Sequence, residues 1–90
     1  MKYYLPLMEQ GLTVEELLIS ASSANLTAEL LEPSRDFTED VGAWYEERKE
    51  EGALPYTIGQ PLHEGDILYL PSSFLGFFKI VINQFVTIQI

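Results

Sequence analysis

His63 stands beside Glu64 and Asp66, the one place in this chain where an imidazole meets two carboxylates. Such a trio is raw material for a general base or a metal site. A base needs a nucleophile to activate, and none is suggested nearby. The common zinc sites draw on several histidines and cysteines. This chain has one histidine and no cysteine. His63 therefore reads as an exposed turn residue. Glu46-Glu47 and Glu50-Glu51 form like-charged pairs four apart, which repel mildly on a helix. A calcium loop needs ligands at fixed offsets around a glycine, and that spacing is missing. These glutamates read as a solvated face. The six glycines are scattered and form no phosphate-binding loop. No catalytic residue, metal ligand or cofactor is expected, so the chain reads as a non-enzyme.

Charge narrows the partners. Fourteen acidic and five basic residues leave a net charge of −9. Nucleic-acid binding needs clustered lysine and arginine to displace counterions, and anionic membranes ask for the same. Neither partner is expected. The first residues show no signal-peptide core. Without cysteine there are no disulfides, and 47% hydrophobic content suggests one globular unit.

The elements follow from spacing. Lys2 to Leu7 reads as a short strand that ends at Pro6, which cannot donate to a ladder. Thr13-Val14-Glu15-Glu16 fits a capping box, opening a helix through about Ser22 with Val14, Leu17, Leu18 and Ala21 at helical spacing. Thr27 to Glu32 reads as one or two helical turns with Leu30 and Leu31 inward, stopped by Pro33. A second helix starts near Thr38, capped by Asp36 or Thr38, with Phe37 and Val41 placed as a staple. Val41, Trp44, Tyr45 and Arg48 share its inner face, with Trp44 as a core anchor, and Gly52 ends it. Leu54 to Leu62 reads as loop, Glu64-Gly65-Asp66 as a turn, and Ile67 to Leu70 as the most secure strand.

The last 17 residues differ from the rest. Phe74 to Ile90 hold four of the five phenylalanines, seven β-branched residues and a single charge, Lys79. That composition favours pleated strand. Fully extended, the segment reaches about 56 Å, so it bends or leaves the domain. It is slightly short for a membrane span and contains Lys79, Asn83, Gln84 and Gln89. Two dispositions follow. Either it is an arm buried by another subunit, or it folds back as a hairpin or as edge strands pairing with residues 2–7. Gly76 is the better place to bend, because Asn83-Gln84 lacks the glycine a tight hairpin turn wants.

Two segments resemble the ends of a LysM domain, a small βααβ module. Leu62-His63-Glu64-Gly65-Asp66-Ile67-Leu68-Tyr69-Leu70-Pro71 fits the family's final Leu-x-x-Gly-x-x-Leu-x-Ile/Leu-Pro at each specified position. Gly11-Leu12-Thr13-Val14-Glu15-Glu16-Leu17-Leu18 is similar to the family's Gly-Asp-Thr-Leu-x-x-Ile-Ala, with Leu12 replacing aspartate. The resemblance covers the first 22 residues and residues 52–71, but neither the middle nor the tail. Leu54, Gly59, Leu62, Gly65, Leu70 and Pro71 also echo the phage tail protein X group. The usual Asn-Pro near the end of the second helix is replaced by Glu51-Gly52-Ala53-Leu54. The span from Gly11 to Pro71 is also about 20 residues longer than a compact module needs.

The resulting expectation is an α+β fold: a LysM-like βααβ domain over residues 1–73, with an inserted loop or short helix, and a β-prone extension over residues 74–90. The resemblance implies a structural or assembly protein of a phage tail or baseplate, found in the virion or in the host cytoplasm during assembly. On that reading the partners are other protein subunits. The tail docks by strand addition through Phe77, Ile80, Ile82, Val86, Ile88 and Ile90. A second reading is a peptidoglycan- or chitin-binding module, for which the family's glycan loops correspond to Gly11, Leu12 and Thr13 and to Tyr56, Thr57 and Gly59. A third is an acidic inhibitor docking on a basic host protein, since nine of the 14 acidic residues lie between Glu29 and Glu51.

Overall fold

The computed structural model describes residues 2–33 and 37–89, with Ser23, Phe37 and Thr38 described by their backbone. The order is β1 (Tyr3–Pro6), α1 (Val14–Ser20), β2 (Leu26–Glu32), α2 (Phe37–Glu50), β3 (Leu54–Tyr56), β4 (Pro61–Leu62), β5 (Ile67–Ser72), β6 (Gly76–Ile82) and β7 (Val86–Thr87). Short 3-10 turns at Met8–Gln10 and Ser23–Asn25 precede α1 and β2. The fold is mixed α and β, as expected.

Five strands form one mixed sheet in the order β2-β6-β5-β1-β3, and β4 pairs with β7 in a separate ribbon. β1 runs parallel to both β5 and β3, while β6 is antiparallel to both β5 and β2. Alternation along the strands sends side chains to two cores. On one face Tyr4, Leu68, Leu70, Phe78, Ile80 and Ile82 meet Leu12, Val14, Leu17 and Ala21 from α1 and the turn before it, together with Leu62, Val86 and Ile88. On the other face Leu5 and Phe77 meet Trp44 and Tyr45 of α2. Trp44 is fully buried and stacks on Phe77 with ring centroids 4.6 Å apart. The Arg48 guanidinium lies 5.5 Å from the centre of the Trp44 ring.

Both helices keep their sequence signals. The Thr13 hydroxyl accepts from the Glu16 amide and donates to Glu16 Oε1, each at 3.4 Å. Glu16 thus reaches the cap's hydroxyl instead of its amide. α2 ends in a Schellman pattern, with Ala53 N–H on Arg48 O and Gly52 N–H on Lys49 O. The expected caps Asp36 and Thr38, and the Phe37 half of the staple, lie outside the described side chains.

Three expectations are corrected. Residues 54–62, read as loop, carry β3 and β4, because β1 and β7 offer their backbones as partners. Residues 27–32 are strand, not helical turns, and Leu30 and Leu31 point outward. Two adjacent leucines carry no helical spacing, and pairing with β6 decides the conformation. The larger correction concerns the tail. It is not an arm: β6 lies inside the sheet between β5 and β2, and Phe77, Ile80, Ile82, Val86 and Ile88 are buried in the chain's own core. The chain turns back just before Gly76 and bends again at residues 83–84. The folded chain measures 32 × 25 × 21 Å. Its surface of 5036 Å² is close to the roughly 5300 Å² expected of a compact monomer of this mass. A free arm would raise that figure well above the expectation.

Packing also sets the phenols. Burial pushes Tyr45 up to about 12. Tyr69 is raised by burial first, then by the charges of Glu51 and Tyr3, with Arg48 opposing. Burial raises Tyr56 too, against a backbone hydrogen bond at Ile88 that lowers it. A phenol whose folded value lies above its ordinary 10.0 contributes stability that is intact below pH 10.0 and lost as pH rises through the folded value. An ultraviolet titration tests this. The Tyr45 signal should appear last, near pH 12, together with loss of the fold. Simultaneous ionisation of every tyrosine near pH 10 in a folded chain would contradict this packing.

Candidate interaction surface

The residues that invited chemistry turn out to be architectural. Asp66 is buried, and its Oδ2 accepts from the His63 amide at 2.9 Å while its own amide donates to His63 O at 3.0 Å. The acid beside the histidine thus closes the turn into β5. His63 itself is exposed, and its ring sits 5.2 Å from that of Phe85. Among the described residues no group of three or more acidic, histidine or cysteine side chains is placed to hold a metal. No helix among them is long and apolar enough to cross a membrane.

The two loops matched to glycan loops do come together, and Gln10 joins them. Its Nε2 donates to Tyr56 O at 2.9 Å, and its Oε1 accepts from the Ile58 amide at 2.7 Å. Most of the named side chains are nevertheless withdrawn. Leu12 and Tyr56 are fully buried, Thr13 caps α1, and the Tyr56 hydroxyl donates to Gln60 O at 2.7 Å. The Gly59 amide donates to Ile88 O, so the last residues of the chain brace this loop. Gly11, Thr57 and Gly59 remain exposed.

The docking residues named for the tail are brought together, but inside the molecule. Phe77 faces α2, while Ile80, Ile82, Val86 and Ile88 share the α1 core. The shared face of Ile80, Ile82, Val86 and Ile88 was legible from alternation; what covers it is this chain itself. Ile90 lies outside the described residues.

A different set of apolar side chains faces solvent. Phe74 is 85% exposed and Leu75 57% exposed in the turn between β5 and β6. Ile19 of α1 is 86% exposed, and Leu18 is beside it. At the end of β2, Leu30 and Leu31 are also exposed. The start of α1 and the end of β2 both reach the turn that carries Phe74 and Leu75. Glu15, three and four residues before Leu18 and Ile19, holds the turn: its Oε2 accepts from Ser72 Oγ at 2.6 Å and its Oε1 from the Ser73 amide at 2.9 Å. Ser72 Oγ in turn accepts from the amides of Phe74 and Leu75 at 3.1 and 3.0 Å. β2 reaches the same turn, because Glu32 pairs with Phe77 and its backbone lies against Gly76. Sequence reasoning missed this end because it assigned all of residues 74–90 to one role. The signal was present, since Phe74 and Leu75 sit beside Gly76, in the turn and not in a strand.

The clamp also sets the acid behaviour of Glu15. Burial alone raises its carboxyl, but the hydrogen bonds, led by those from Ser72 and Ser73, outweigh burial and hold it below the ordinary 4.5. A depressed carboxylate contributes stability that is present above its unfolded value and lost as pH falls through the folded one. Glu15→Gln is expected to lower stability at neutral pH by about 1 kcal/mol, since the group is partly solvated. In denaturant titrations the gap between the two proteins should close as pH falls below 4.5. A gap that stays constant across that range would show that the charge does not matter to the clamp.

A separate apolar hollow of about 760 Å³ opens between β1 and the end of α2, lined chiefly by Leu5, Pro6, Leu7, Met8, Ala53 and Pro55. Glu9 and Lys49 also line it and balance in charge, so it favours no ligand sign. Comparison with protein-family models, with curated proteins and with solved structures finds no significant match for the chain.

Proposed function

We propose that the chain is a non-enzymatic structural or assembly subunit, of the kind found in a phage tail or baseplate, that binds a neighbouring protein subunit through the apolar end around Phe74. One observation carries this reading: the most exposed aromatic side chain of the described residues sits on a backbone that hydrogen bonds hold still. A large apolar side chain held out in solvent on a fixed turn is a natural anchor for a partner. The LysM-like resemblance supports the class. Its two matched segments form the cap and body of α1 and the turn leading into β5, and β1 and β5 are neighbours in the sheet. We read β1, α1, α2 and β5 as the LysM-like frame. On this reading the chain works in the virion, or in the host cytoplasm during assembly, without nucleic acid, membrane or cofactor.

The test is incorporation. Particles purified from cells that make the chain should contain it. The double variant Phe74→Ser/Leu75→Ser should stay folded and be lost from them. A native chain found only as free monomer would remove the assembly role.

Peptidoglycan binding keeps one observation in its favour, the Gln10 bridge that brings the two loops together. With Leu12 and Tyr56 buried, only backbone and the Thr57 side chain are offered to a sugar there. A pull-down on purified peptidoglycan decides, and no retention ends that reading.

A further inference from the structure

The five-stranded sheet ends in two edges, and they are unlike. β3 is three residues long, Pro55 at its middle has no amide to offer, and Tyr56 O already accepts from Gln10. β2 runs for seven residues without a proline, and no described strand pairs with its outer side. Its residues from Thr27 to Leu31 are all exposed. The hydrogen bonds tell which of its backbone groups are bare. Asn83 N–H donates to Asn25 O, while Ile82 N–H donates the other way, to Asp66 O beside β5. Antiparallel pairing alternates residue by residue, so Thr27 and Glu29 turn their amides and carbonyls to β6. Leu26, Ala28 and Leu30 turn theirs outward, as far as the bulge between Leu30 and Glu32. An open edge of this kind is a ready template for another strand.

We propose that this edge pairs with the same edge of a second copy, antiparallel about a two-fold axis through Ala28, so that two five-stranded sheets become one. The pattern of β2 is what selects a copy of itself. The bare groups lie at Ala28 and, on either side of it, at Leu26 and Leu30. The two-fold sets Leu26 against Leu30 of the second copy and Ala28 against its own counterpart. On this face apolar meets apolar, and the smallest side chain falls at the axis. Leu30, 41% exposed in the single chain, gains cover. On the other face Thr27 falls opposite Glu29 of the second copy. The Thr27 hydroxyl accepts from Asn83 Nδ2 at 2.9 Å and keeps its own proton to donate to that carboxylate. Lys79 of the same chain lies 3.9 Å from Glu29. The one charge on the paired stretch is thus flanked by a cation and a hydroxyl, and it does not face its own counterpart. This surface is separate from the turn at Phe74, and the inference does not rest on the assembly reading.

Sedimentation equilibrium of the full chain, up to about 1 mM, measures the dimer. It is expected to tighten as salt rises, because salt screens the repulsion between two chains of net charge −9. Hydrogen exchange reads the register. As concentration rises, the amides of Ala28 and Leu30 should exchange more slowly, while those of Thr27 and Glu29, already bonded to β6, should not change. Ala28→Pro removes an outward amide and no bond to β6, so the variant should fold and dimerise at least about tenfold more weakly. Ala28→Lys and Ala28→Glu keep the amide and alter only an exposed side chain. Each alone should weaken the dimer, since like charges then face each other at the axis, and an equal mixture of the two should restore it. A chain that stays monomeric throughout overturns the inference and leaves the edge to a strand of another protein. So does a dimer that Ala28→Pro leaves intact, and so does a mixture of the lysine and glutamate variants that is no tighter than either alone. Phe74→Ser/Leu75→Ser should leave the dimer unchanged, and a dimer that it dissolves overturns the inference as well. Incorporation into particles is a separate readout: a native chain that dimerises but never enters particles removes the assembly role and leaves this inference standing.

Discussion

A chain that stops at Ser73 is expected not to fold. The missing residues supply β6, which lies inside the five-stranded sheet, and β7, which pairs with β4. Phe77, Phe78, Ile80, Ile82, Val86 and Ile88 leave the core with them. At about 1.5–3 kcal/mol for each large buried side chain, the loss is on the order of 9–18 kcal/mol, against a total stability of about 5–15 kcal/mol for a domain. β2 would also lose its neighbour in the sheet, β6. Far-UV circular dichroism of the truncated chain should show no cooperative unfolding transition. A folded truncated chain with a normal melting curve would mean that residues 74–90 are an appendage after all. The single substitution Ile80→Ala tests the same point more gently, at an expected cost of about 2–5 kcal/mol in denaturant titrations.

Gly76→Ala is expected to be the most damaging of the glycine substitutions. Gly76 has φ +116°, a region that side chains rarely adopt. A Cβ there would run into the carbonyl oxygen of Glu32 and come within 3.1 Å of Glu32 C and Pro33 Cα. Backbone strain of about 1–3 kcal/mol adds to a steric cost of similar size, because backbone cannot swing aside as a side chain can. The expected loss is about 2–6 kcal/mol. Gly65→Ala is the control: φ is +89° there, but the Cβ meets open space, so strain alone of about 1–2 kcal/mol is expected. Equal losses at the two positions would show that the contact with β2 does not matter. Under the proposed docking role the contact matters twice, because it closes the turn that presents Phe74 and Leu75. A stable Gly76→Ala variant should therefore still show weakened partner binding.

The two stretches outside the LysM-like resemblance turn out to be each other's partners. β2 lies between the helices, β6 lies in the tail, and they pair along six register positions. Each looked anomalous alone. Residues 27–32 carried two leucines and two glutamates with no strong strand signal, and the tail carried more apolar surface than one sheet face needs. Together they supply two of the five strands of the sheet. The apolar surplus of the tail reflects this directly, since β6 is covered on both faces and flanked on both edges.

Local chemistry alone determined a good deal. Thr13 and Glu16 started α1, the alternation in residues 67–70 made β5, Gly52 and Ala53 ended α2, and Gly76 bent the chain, because each effect acts within a few residues. Charge and the absence of cysteine were equally plain. Only the tertiary structure decided which surface received the tail, that residues 27–32 extend instead of coiling, and that Phe74 and Leu75 stay outside while Phe77 and Phe78 go in. Those outcomes depend on pairings across about 50 residues of chain, where the backbone of one strand is satisfied by another and local preference is outweighed.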